Sequence, residues 1–402
     1  MDQQNQGPLQ GLRILDIATV LAAPWSATLL ADLGAEVLKV EMPGRGDLLR
    51  ALAPHKDGVP LWWKVANRNK KAITLDLRKE AGRALLEKLL PRFDVLVENF
   101  RPGTLDGWGL PKERLFAIHP KLTVLRVSGF GQTGPYRDRP AFARVAEAIA
   151  GFTYICGEAG GAPLHMGFPV ADAVAGLFGA VGILGALYRR QREPEAAGQE
   201  IDVNLAEATF RMLDFLPIEY DQLGVVRGRT GNLSDYSAPS NVHRTRDEVW
   251  ITIPASSQGI FERLCRALGE EALIRDPRFA SNAERVRNRA TLDAIIAAAI
   301  ATRTLAELRP LLDRHEVGWS AIHSIADVFA DPHFQAREAI VSVPDDELGP
   351  VRMQNVTPRF SGTPGRVAST GPALGQHNAE VYGQWLGLGE QERAALQAAG
   401  VI

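Results

Sequence analysis

The sequence predicts an α/β fold built on a doubly wound parallel sheet, and the alternation of two patterns in its first third is the reason. Short runs rich in aliphatic and β-branched residues alternate with helical segments such as 24–33 and 79–90. A strand that is followed by a helix and then by another strand needs a crossover connection, which makes the strands parallel. The predicted strands are 12–17, 36–41, 72–77, 95–100 and 122–128.

A change of character further along the chain predicts a second, smaller domain. Residues 198–205 and 206–223 have the patterns of another strand and a helix. A polar loop, one short strand and helices with charged faces follow, and this mixture is typical of an α+β domain. The last part returns to short strands and turns and ends in an amphipathic helix. The predicted segments are a large domain over 1–200, a small α+β domain over 225–330, and a tail over 331–402.

The composition is that of a globular protein and excludes several kinds of partner. The 402 residues are 46% hydrophobic and 23% charged, with a formal net charge of -2. Such a balance creates no field that recruits nucleic acid or an anionic membrane, so we expect neither partner. The most apolar stretch, 173–188, is shorter than the roughly 20 residues of a membrane span. We predict that it is a buried core helix.

The cysteines and histidines predict neither a disulfide framework nor a metal site. Cys156 and Cys265 are far apart and not in C-x-x-C spacing. The histidines lack metal-ligand spacing, and no G-x-S-x-G motif of a serine hydrolase occurs. Residues 1–10 lack the basic and apolar regions of a signal peptide. We therefore expect a cytoplasmic protein without a bound metal.

The turn between the first strand and the first helix argues against a nicotinamide site. A dinucleotide site carries G-x-G-x-x-G there, because only glycine lets the backbone approach a pyrophosphate. Here residues 19–24 are TVLAAP. The N-terminus of the following helix still offers free N–H groups to an anion.

The segment 97–103, VENFRPG, follows a predicted strand and precedes a helix. This position places Asn99, Phe100 and Arg101 where a doubly wound sheet presents ligand contacts. They would supply an amide, an aromatic face for an adenine and a guanidinium for a phosphate. The alternative is a capped turn with a solvated arginine. The local sequence leaves both interpretations open.

Asp172 is the most informative single residue, because it lies alone among apolar residues directly before the long apolar helix. Aspartate is a preferred N-cap residue, which is its structural interpretation. A partly desolvated carboxylate at a helix N-terminus, kept ionised by the helix dipole, also has the properties of a nucleophile. The two interpretations are compatible.

The chain resembles class III CoA-transferases of the formyl-CoA transferase and carnitine CoA-transferase type. Each motif that carries the resemblance is short, but their number and order span essentially the whole chain. The motifs are GLRILD at 11–16, AAP at 22–24, LGAEVLKVE at 33–41, NRNKK at 67–71, VENFRPG at 97–103, GFGQTGP at 129–135, Asp172-x-x-x-Gly176, GQEIDV at 198–203, Asp331-Pro332 and LGQH at 374–377.

The resemblance implies a Rossmann-like large domain made from both ends of the chain, so that 331–402 returns to it, and an interlocked homodimer. It also implies that coenzyme A and acyl-CoA are substrates and that no cofactor is tightly bound. Asp172 would attack the donor thioester to give an anhydride and free CoA thiolate, and the thiolate would return to give an aspartyl-CoA thioester. An acceptor carboxylate would displace that intermediate and leave as the new acyl-CoA.

The same resemblance assigns CoA contacts by position. They lie in the first turn, after the third and fourth strands, in the next turn, and at an arginine beside Pro140. These residues are Val20, Leu21, Ala22, Leu75, Asn99, Phe100, Arg101, Thr104, Trp108 and Arg139.

Several positions depart from the formyl-CoA transferase pattern. Met42 and Pro140 replace cations, and Ala143 replaces a residue that is often acidic, which leaves the role of a second carboxylate near Asp172 open. The glycine-rich lid has no counterpart, so formyl and oxalyl transfer is not expected. A dicarboxylate acceptor would need a cation, for which loop arginines are available unless they are only solvated. These are Arg227, Arg229, Arg244 and Arg246.

Two alternatives to CoA transfer remain. Related α-methylacyl-CoA racemases use a histidine and aspartate pair, but Phe142 occupies the histidine position here, and its ring cannot accept a proton. The other alternative is a non-catalytic acyl-CoA-binding relative in which Asp172 is only a helix cap.

Overall fold

The computed structural model describes residues 7–402, which form two compact units. The larger unit comprises 7–153, 165–224 and 333–402, and the smaller comprises 154–164 and 225–332. The large unit therefore takes chain from both ends of the sequence. The expectation about a signal peptide concerns residues 1–10, of which 1–6 lie outside the described part.

A six-stranded parallel sheet forms the centre of the large unit. The strands in chain order are β1 (Arg13–Asp16), β2 (Glu36–Glu41), β3 (His55–Lys56), β4 (Val59–Pro60), β5 (Lys70–Thr74), β6 (Val95–Glu98), β7 (Thr123–Ser128), β8 (Gln199–Asn204), β9 (Ser240–Arg244), β10 (Trp250–Pro254), β11 (Ser320–Ala321), β12 (Ile340–Asp345) and β13 (Gly349–Gln354). The order in the large sheet is β5-β2-β1-β6-β7-β8, and every neighbouring pair is parallel. The predicted α/β fold with a parallel sheet is confirmed.

Helices flank the large sheet on both faces and make up much of the smaller unit. In chain order they are α1 (Ala22–Asp32), α2 (Leu61–Ala66), α3 (Glu80–Leu89), α4 (Thr104–Gly107), α5 (Lys112–Ile118), α6 (Ala143–Ile149), α7 (Phe152–Ile155), α8 (Val170–Arg192), α9 (Leu205–Arg211), α10 (Leu216–Leu223), α11 (Gln258–Leu268), α12 (Ala272–Arg275), α13 (Asn282–Arg287), α14 (Arg289–Ala301), α15 (Leu305–Arg314), α16 (Ile325–Ala330), α17 (Pro332–Ala336) and α18 (Glu390–Ala398). Short 3₁₀ segments lie at Leu48–Ala51, Leu90–Arg92 and Pro277–Phe279, and a π-helix lies at Ala379–Trp385.

The two faces of the large sheet bury separate apolar cores. Because successive strand residues point to opposite faces, Leu15 of β1 belongs to the core that includes residues of α3 and α5, whereas Ile14 belongs to the core that includes residues of α1 and α8. Strands that are covered on both faces are the rule in parallel sheets.

The single helix predicted over 206–223 is wrong, because the structure has two helices there, α9 and α10. Asp214 between them has a φ of 48°, in the left-handed region that interrupts a helix. Pro217 then lies in the first turn of α10, where its missing N–H costs nothing.

Helix α8 is longer than predicted, with 23 residues. Its length and composition alone would allow a membrane span, with a mean hydropathy of 2.0 over the most apolar window. One side of α8 packs against α1 and the sheet through small residues. A helix in a protein core can have the same length and hydropathy as a membrane span. The opposite side is exposed, so the predicted buried core helix is buried on one side only.

The smaller unit has its own sheet and core. Strands β9, β10 and β11 form an antiparallel sheet in the order β11-β10-β9. Phe261 of α11 and Phe279 are fully buried against the β10 residues Ile251 and Ile253.

Candidate functional site

The candidate site lies where the direction of the large sheet reverses. β1 and β6 are neighbours at its centre, and the chain runs from β1 to β2 on one side and from β6 to β7 on the other. Ligands of doubly wound sheets bind at this switch point, beyond the carboxyl ends of the strands. The two segments that the sequence singled out, 19–24 and 97–103, both lie there.

The first turn is held by Asn99 and Asp47. The Asn99 amide accepts a hydrogen bond from the Thr19 N–H and donates one to the Thr19 carbonyl, both at 2.7 Å. Val20 has a φ of 65°, which is uncommon for a β-branched residue, and its N–H donates to Asp47 Oδ1 at 3.0 Å. Asn99 was predicted to bind the ligand, but its amide first fixes the turn that forms the cavity wall.

Two fully buried lysines lie beneath this turn. Lys39 Nζ lies 3.2 Å from Asp47 Oδ2 and 3.6 Å from Asp16 Oδ1, and it donates to the Ala18 carbonyl. Lys70 Nζ lies 2.8 Å from Asp16 Oδ2. Burial lowers the pKa of Lys39, but neighbouring carboxylates outweigh it and leave that pKa above the ordinary value. Burial lowers the pKa of Lys70 to about 8.

A cavity of about 310 Å³ opens above the turn, and most of the predicted residues line it. The predicted residues along its wall are Val20, Leu21, Ala22, Asn99, Phe100, Arg101, Arg139 and Asp172. Segments that are far apart in sequence therefore meet around one space.

A smaller cavity of about 80 Å³ shares Thr19 and Phe100 with the larger one. Leu75 and Trp108 line it, and the rings of Trp108 and Phe100 meet edge to face with centroids 5.0 Å apart. Thr104 lines neither of the two cavities. Such an aromatic and aliphatic wall suits the flat ring of an adenine.

Met42 lines the smaller cavity where the family pattern has a cation. Its sulfur lies 3.4 Å from the Arg78 guanidinium, which is also paired with Asp76. A guanidinium from the chain after β5 therefore lies beside Met42. Arg78 is not recognisable from the sequence, because only the fold brings it to Met42.

Asp172 lies in the first turn of α8, and the prediction that it is the N-cap is wrong. Pro169 is the N-cap, and the helix begins at Val170, earlier than predicted. Burial raises the pKa of Asp172 to about 6, and the charge of Glu147 adds to the rise. The carboxylate is therefore mostly ionised at neutral pH but is a stronger base than an exposed aspartate.

Gly176, one turn after Asp172, lets α8 approach α1. A Cβ on Gly176 would lie 2.9 Å from the Ala22 carbonyl oxygen, and Ser26 Oγ donates to the Gly176 carbonyl at 2.9 Å. Asp172 therefore lies one helical turn before a point where α8 approaches α1 closely. This close approach places Asp172 near the turn between β1 and α1.

Glu147 is a second carboxylate that the sequence analysis missed. It lies on α6 and is 2% exposed. Its Oε1 accepts the Ala171 N–H at 3.3 Å, and its Oε2 lies 3.0 Å from His165 Nδ1. Ala143 is one turn earlier on the same helix.

The positive charges in the cavity of Asp172 come from Arg101 and from the segment that carries Arg137 and Arg139. Arg137 and Arg139 line its cavity, and the Arg139 guanidinium lies 4.5 Å from the Tyr136 ring centroid. Phe142 is also part of the wall and is 77% exposed. The four loop arginines considered for a dicarboxylate are instead bound by groups of their own unit. Their partners are Asp235 for Arg227, the Gly161 and Tyr154 carbonyls for Arg229, Glu248 for Arg244 and Glu307 for Arg246.

Comparison with known proteins gives these features a family. Residues 9–378 match the model of CoA-transferase family III. The chain is 45% identical over 401 residues to succinyl-CoA–D-citramalate CoA-transferase of Chloroflexus aurantiacus, covering 100% of this chain and 99% of that one. It is 35% identical to succinate–glutarate CoA-transferase of Agrobacterium fabrum, covering 94% and 95%. The crystal structure of a CAIB/BAIF family protein from Brucella suis matches with a TM-score of 0.83 and 34% identity, covering 94% and 99%. The chain belongs to CoA-transferase family III.

Proposed function

We propose that this protein moves CoA from an acyl-CoA thioester to a free carboxylic acid, with Asp172 as the nucleophile. The observation that carries the proposal is the position of Asp172, which lines the same cavity as the first turn and the 99–101 segment. Its pKa of about 6 supports the role, because the nucleophilic ionised form predominates at neutral pH.

The proposed reaction proceeds through two kinds of intermediate. An Asp172 oxygen attacks the thioester carbonyl, the C–S bond breaks, and CoA leaves as a thiolate. The thiolate attacks the Asp172 carbonyl of the resulting anhydride, which releases the donor acid and leaves an aspartyl-CoA thioester. The acceptor carboxylate attacks that thioester and regenerates an anhydride and a thiolate. Attack of the thiolate on the acceptor carbonyl then releases the new acyl-CoA and the Asp172 carboxylate.

We propose that CoA extends across both cavities. The adenine would pack in the smaller cavity against Phe100, Trp108 and Leu75, and the pantetheine arm would pass the first turn toward Asp172. Thr104 stays a prediction of a CoA contact. Arg78 beside Met42 would meet a phosphate of the nucleotide.

A dicarboxylic acyl group is the substrate class that we propose. The two curated relatives described above are named for succinyl-CoA and D-citramalate and for succinate and glutarate. Arg137 and Arg139 line the cavity of Asp172, where their guanidinium groups would pair with a second carboxylate.

Succinyl-CoA and butyryl-CoA test this proposal, because the two acyl chains have the same length and only the first ends in a carboxylate. With a dicarboxylic acceptor, we expect kcat/KM for succinyl-CoA to be at least about 10-fold higher, as one charge-assisted pair provides. Arg139→Met should reduce that ratio, whereas Arg92→Met, outside both cavities, should leave it unchanged. Equal use of the two donors would refute the substrate class, and absence of transfer with any donor would refute the function.

The two alternatives predict different products. A racemase would exchange the α-proton of an acyl-CoA with deuterium from the solvent without acyl exchange, and Phe142 in the cavity of Asp172 supplies no base for that step. A non-catalytic relative would bind CoA without forming an adduct on Asp172. The transferase names of the two curated relatives favour transfer over both.

We also propose that two copies form the interlocked homodimer that the resemblance implies, in the cytoplasm. Support for the dimer comes from the exposed side of α8, where four large apolar residues recur at helical spacing. They are Leu177, Val181, Leu184 and Tyr188, which are 53%, 64%, 37% and 62% exposed.

Val181→Arg tests this surface, because it places a charge at the centre of the apolar face. We expect the dimer to dissociate, which light scattering coupled to size-exclusion chromatography would record as half the mass. Lys88→Glu is the control, since Lys88 lies on the exposed side of α3. A wild-type monomer, or a Val181→Arg dimer as stable as the control, would contradict the proposal.

A further inference from the structure

The buried Glu147 and the partly exposed His165 form a pair directly beside the first turn of α8. Glu147 is 2% exposed, whereas the His165 side chain is 29% exposed. The Glu147 carboxylate contacts both Ala171 and His165. Its Oε1 accepts a hydrogen bond from the Ala171 N–H at 3.3 Å, and its Oε2 lies 3.0 Å from His165 Nδ1. Thr153 Oγ1 lies 3.4 Å from the same His165 nitrogen.

We propose that Glu147 and His165 are positioning residues that hold the first turn of α8 and set the charge of the Asp172 carboxylate. The proposal rests on the proposed function of Asp172 as nucleophile. Ala171 immediately precedes Asp172, so the bond from its N–H to Glu147 fixes the backbone that carries the nucleophile. The imidazole on the other Glu147 oxygen is the group placed to balance the negative charge.

The charge of Glu147 has a defined effect on Asp172. A nearby like charge disfavours ionisation, and Glu147 acts in this sense on Asp172 in addition to burial. The elements packed against α8 are α1, α6, α9, β7 and β8. Besides Glu147, their charged side chains are Asp32, Arg144, Arg126, Glu200, Asp202, Glu207 and Arg211, and none of these has a comparable effect on Asp172. Among these side chains, Glu147 is therefore the one whose charge acts on Asp172, and His165 is its partner.

This arrangement benefits a nucleophile that must also be a leaving group. A carboxylate of higher basicity attacks a thioester more readily, and it still leaves its anhydride as a stable anion. A fully uncompensated Glu147 would push Asp172 toward its protonated, inactive form at neutral pH. A positive charge on the imidazole that faces Glu147 would limit that effect, so the two partners would act on Asp172 in opposite directions.

The pH profile of kcat/KM for the acyl-CoA donor tests the proposal with two variants of opposite expected effect. Glu147→Gln keeps the size and an acceptor for the Ala171 N–H but removes the charge, so the acid limb should move to lower pH by about one unit. His165→Gln leaves the Glu147 charge uncompensated, and the acid limb should move to higher pH. Glu207→Gln on α9 is the control and should keep the wild-type profile.

A purely structural role would lower activity in both variants without moving the acid limb, and that result would overturn the proposal. Shifts of both variants in the same direction would overturn it as well. If the wild type transfers no CoA, the proposed function fails, and the inference is decided by ¹³C NMR titration of the Asp172 carboxyl group, with Asp172→Asn to assign its signal. A lower Asp172 pKa in Glu147→Gln would then support the inference, and an unchanged pKa would refute it.

Discussion

Asp172→Asn is expected to lower CoA transfer by at least about 10³-fold, because an amide cannot form the anhydride or the aspartyl-CoA thioester. The affinity for CoA should remain within a few-fold of the wild type, since the walls formed by the first turn and by Phe100 are unchanged. Initial rates with succinyl-CoA and isothermal titration with CoA measure the two quantities.

The stability of the same variant separates loss of chemistry from loss of folding. The pKa of Asp172 is raised in the folded protein, to about 6 from 3.8, so its charged form is disfavoured there. The stability that the raised pKa of Asp172 contributes is present below pH 3.8 and is lost as the pH rises to about 6. At pH 7 the neutral amide of Asp172→Asn should therefore fold at least as stably as the wild type. Ser26→Ala, which removes the nearby hydroxyl of α1, is a control that keeps the nucleophile. Wild-type turnover in Asp172→Asn would contradict the proposed mechanism.

Lys39→Met is expected to destabilise the protein by about 3–5 kcal/mol, because it leaves the buried Asp47 carboxylate without its paired cation and Asp16 with Lys70 alone. The Lys39 side chain is 0% exposed, and its ammonium group serves both Asp16 and Asp47. Since Asp47 also holds Val20, the first turn should loosen and the Kd for CoA should rise. Urea unfolding followed by circular dichroism measures the free energy of unfolding.

An exposed lysine provides the matched control for this variant. Lys88→Met on α3 makes the same chemical change at the surface and should alter the free energy of unfolding by less than about 0.5 kcal/mol. Adding Asp47→Asn to Lys39→Met should recover part of the loss, because one uncompensated charge disappears. If Lys39→Met proves as stable as Lys88→Met, the charge network does not hold the site.

The sequence predicted the parallel sheet and its flanking helices well because both leave strong local patterns. The strands predicted at 36–41 and 122–128 and the terminal helix predicted at 390–399 agree with β2, β7 and α18 to within a residue. The break between α9 and α10 was missed, since a left-handed Asp214 leaves no trace in an apolar period. Exposure along α8 was missed as well, because an apolar run does not show which of its sides is covered.

The candidate site was partly predictable for a related reason. Residues that directly follow a strand, such as Asn99 and Phe100 after β6, are recognisable from the strand before them. Glu147 and Arg78 reach the site only through packing against α8 and contact with Met42, respectively, so no local pattern identifies them. The structural role of Asn99 was hidden for the same reason, since its partner Thr19 is 80 residues away in sequence.

Trapping the covalent intermediate tests the central claim most directly. The purified protein is incubated with succinyl-CoA without an acceptor, treated with borohydride or hydroxylamine, digested, and analysed by mass spectrometry. The account predicts that the peptide containing Asp172 is converted to the alcohol or the hydroxamate, and that Asp172→Asn is unmodified at this position. Efficient CoA transfer by the wild type with an unmodified Asp172 peptide, or with the modification on another carboxylate such as Glu147, would contradict it.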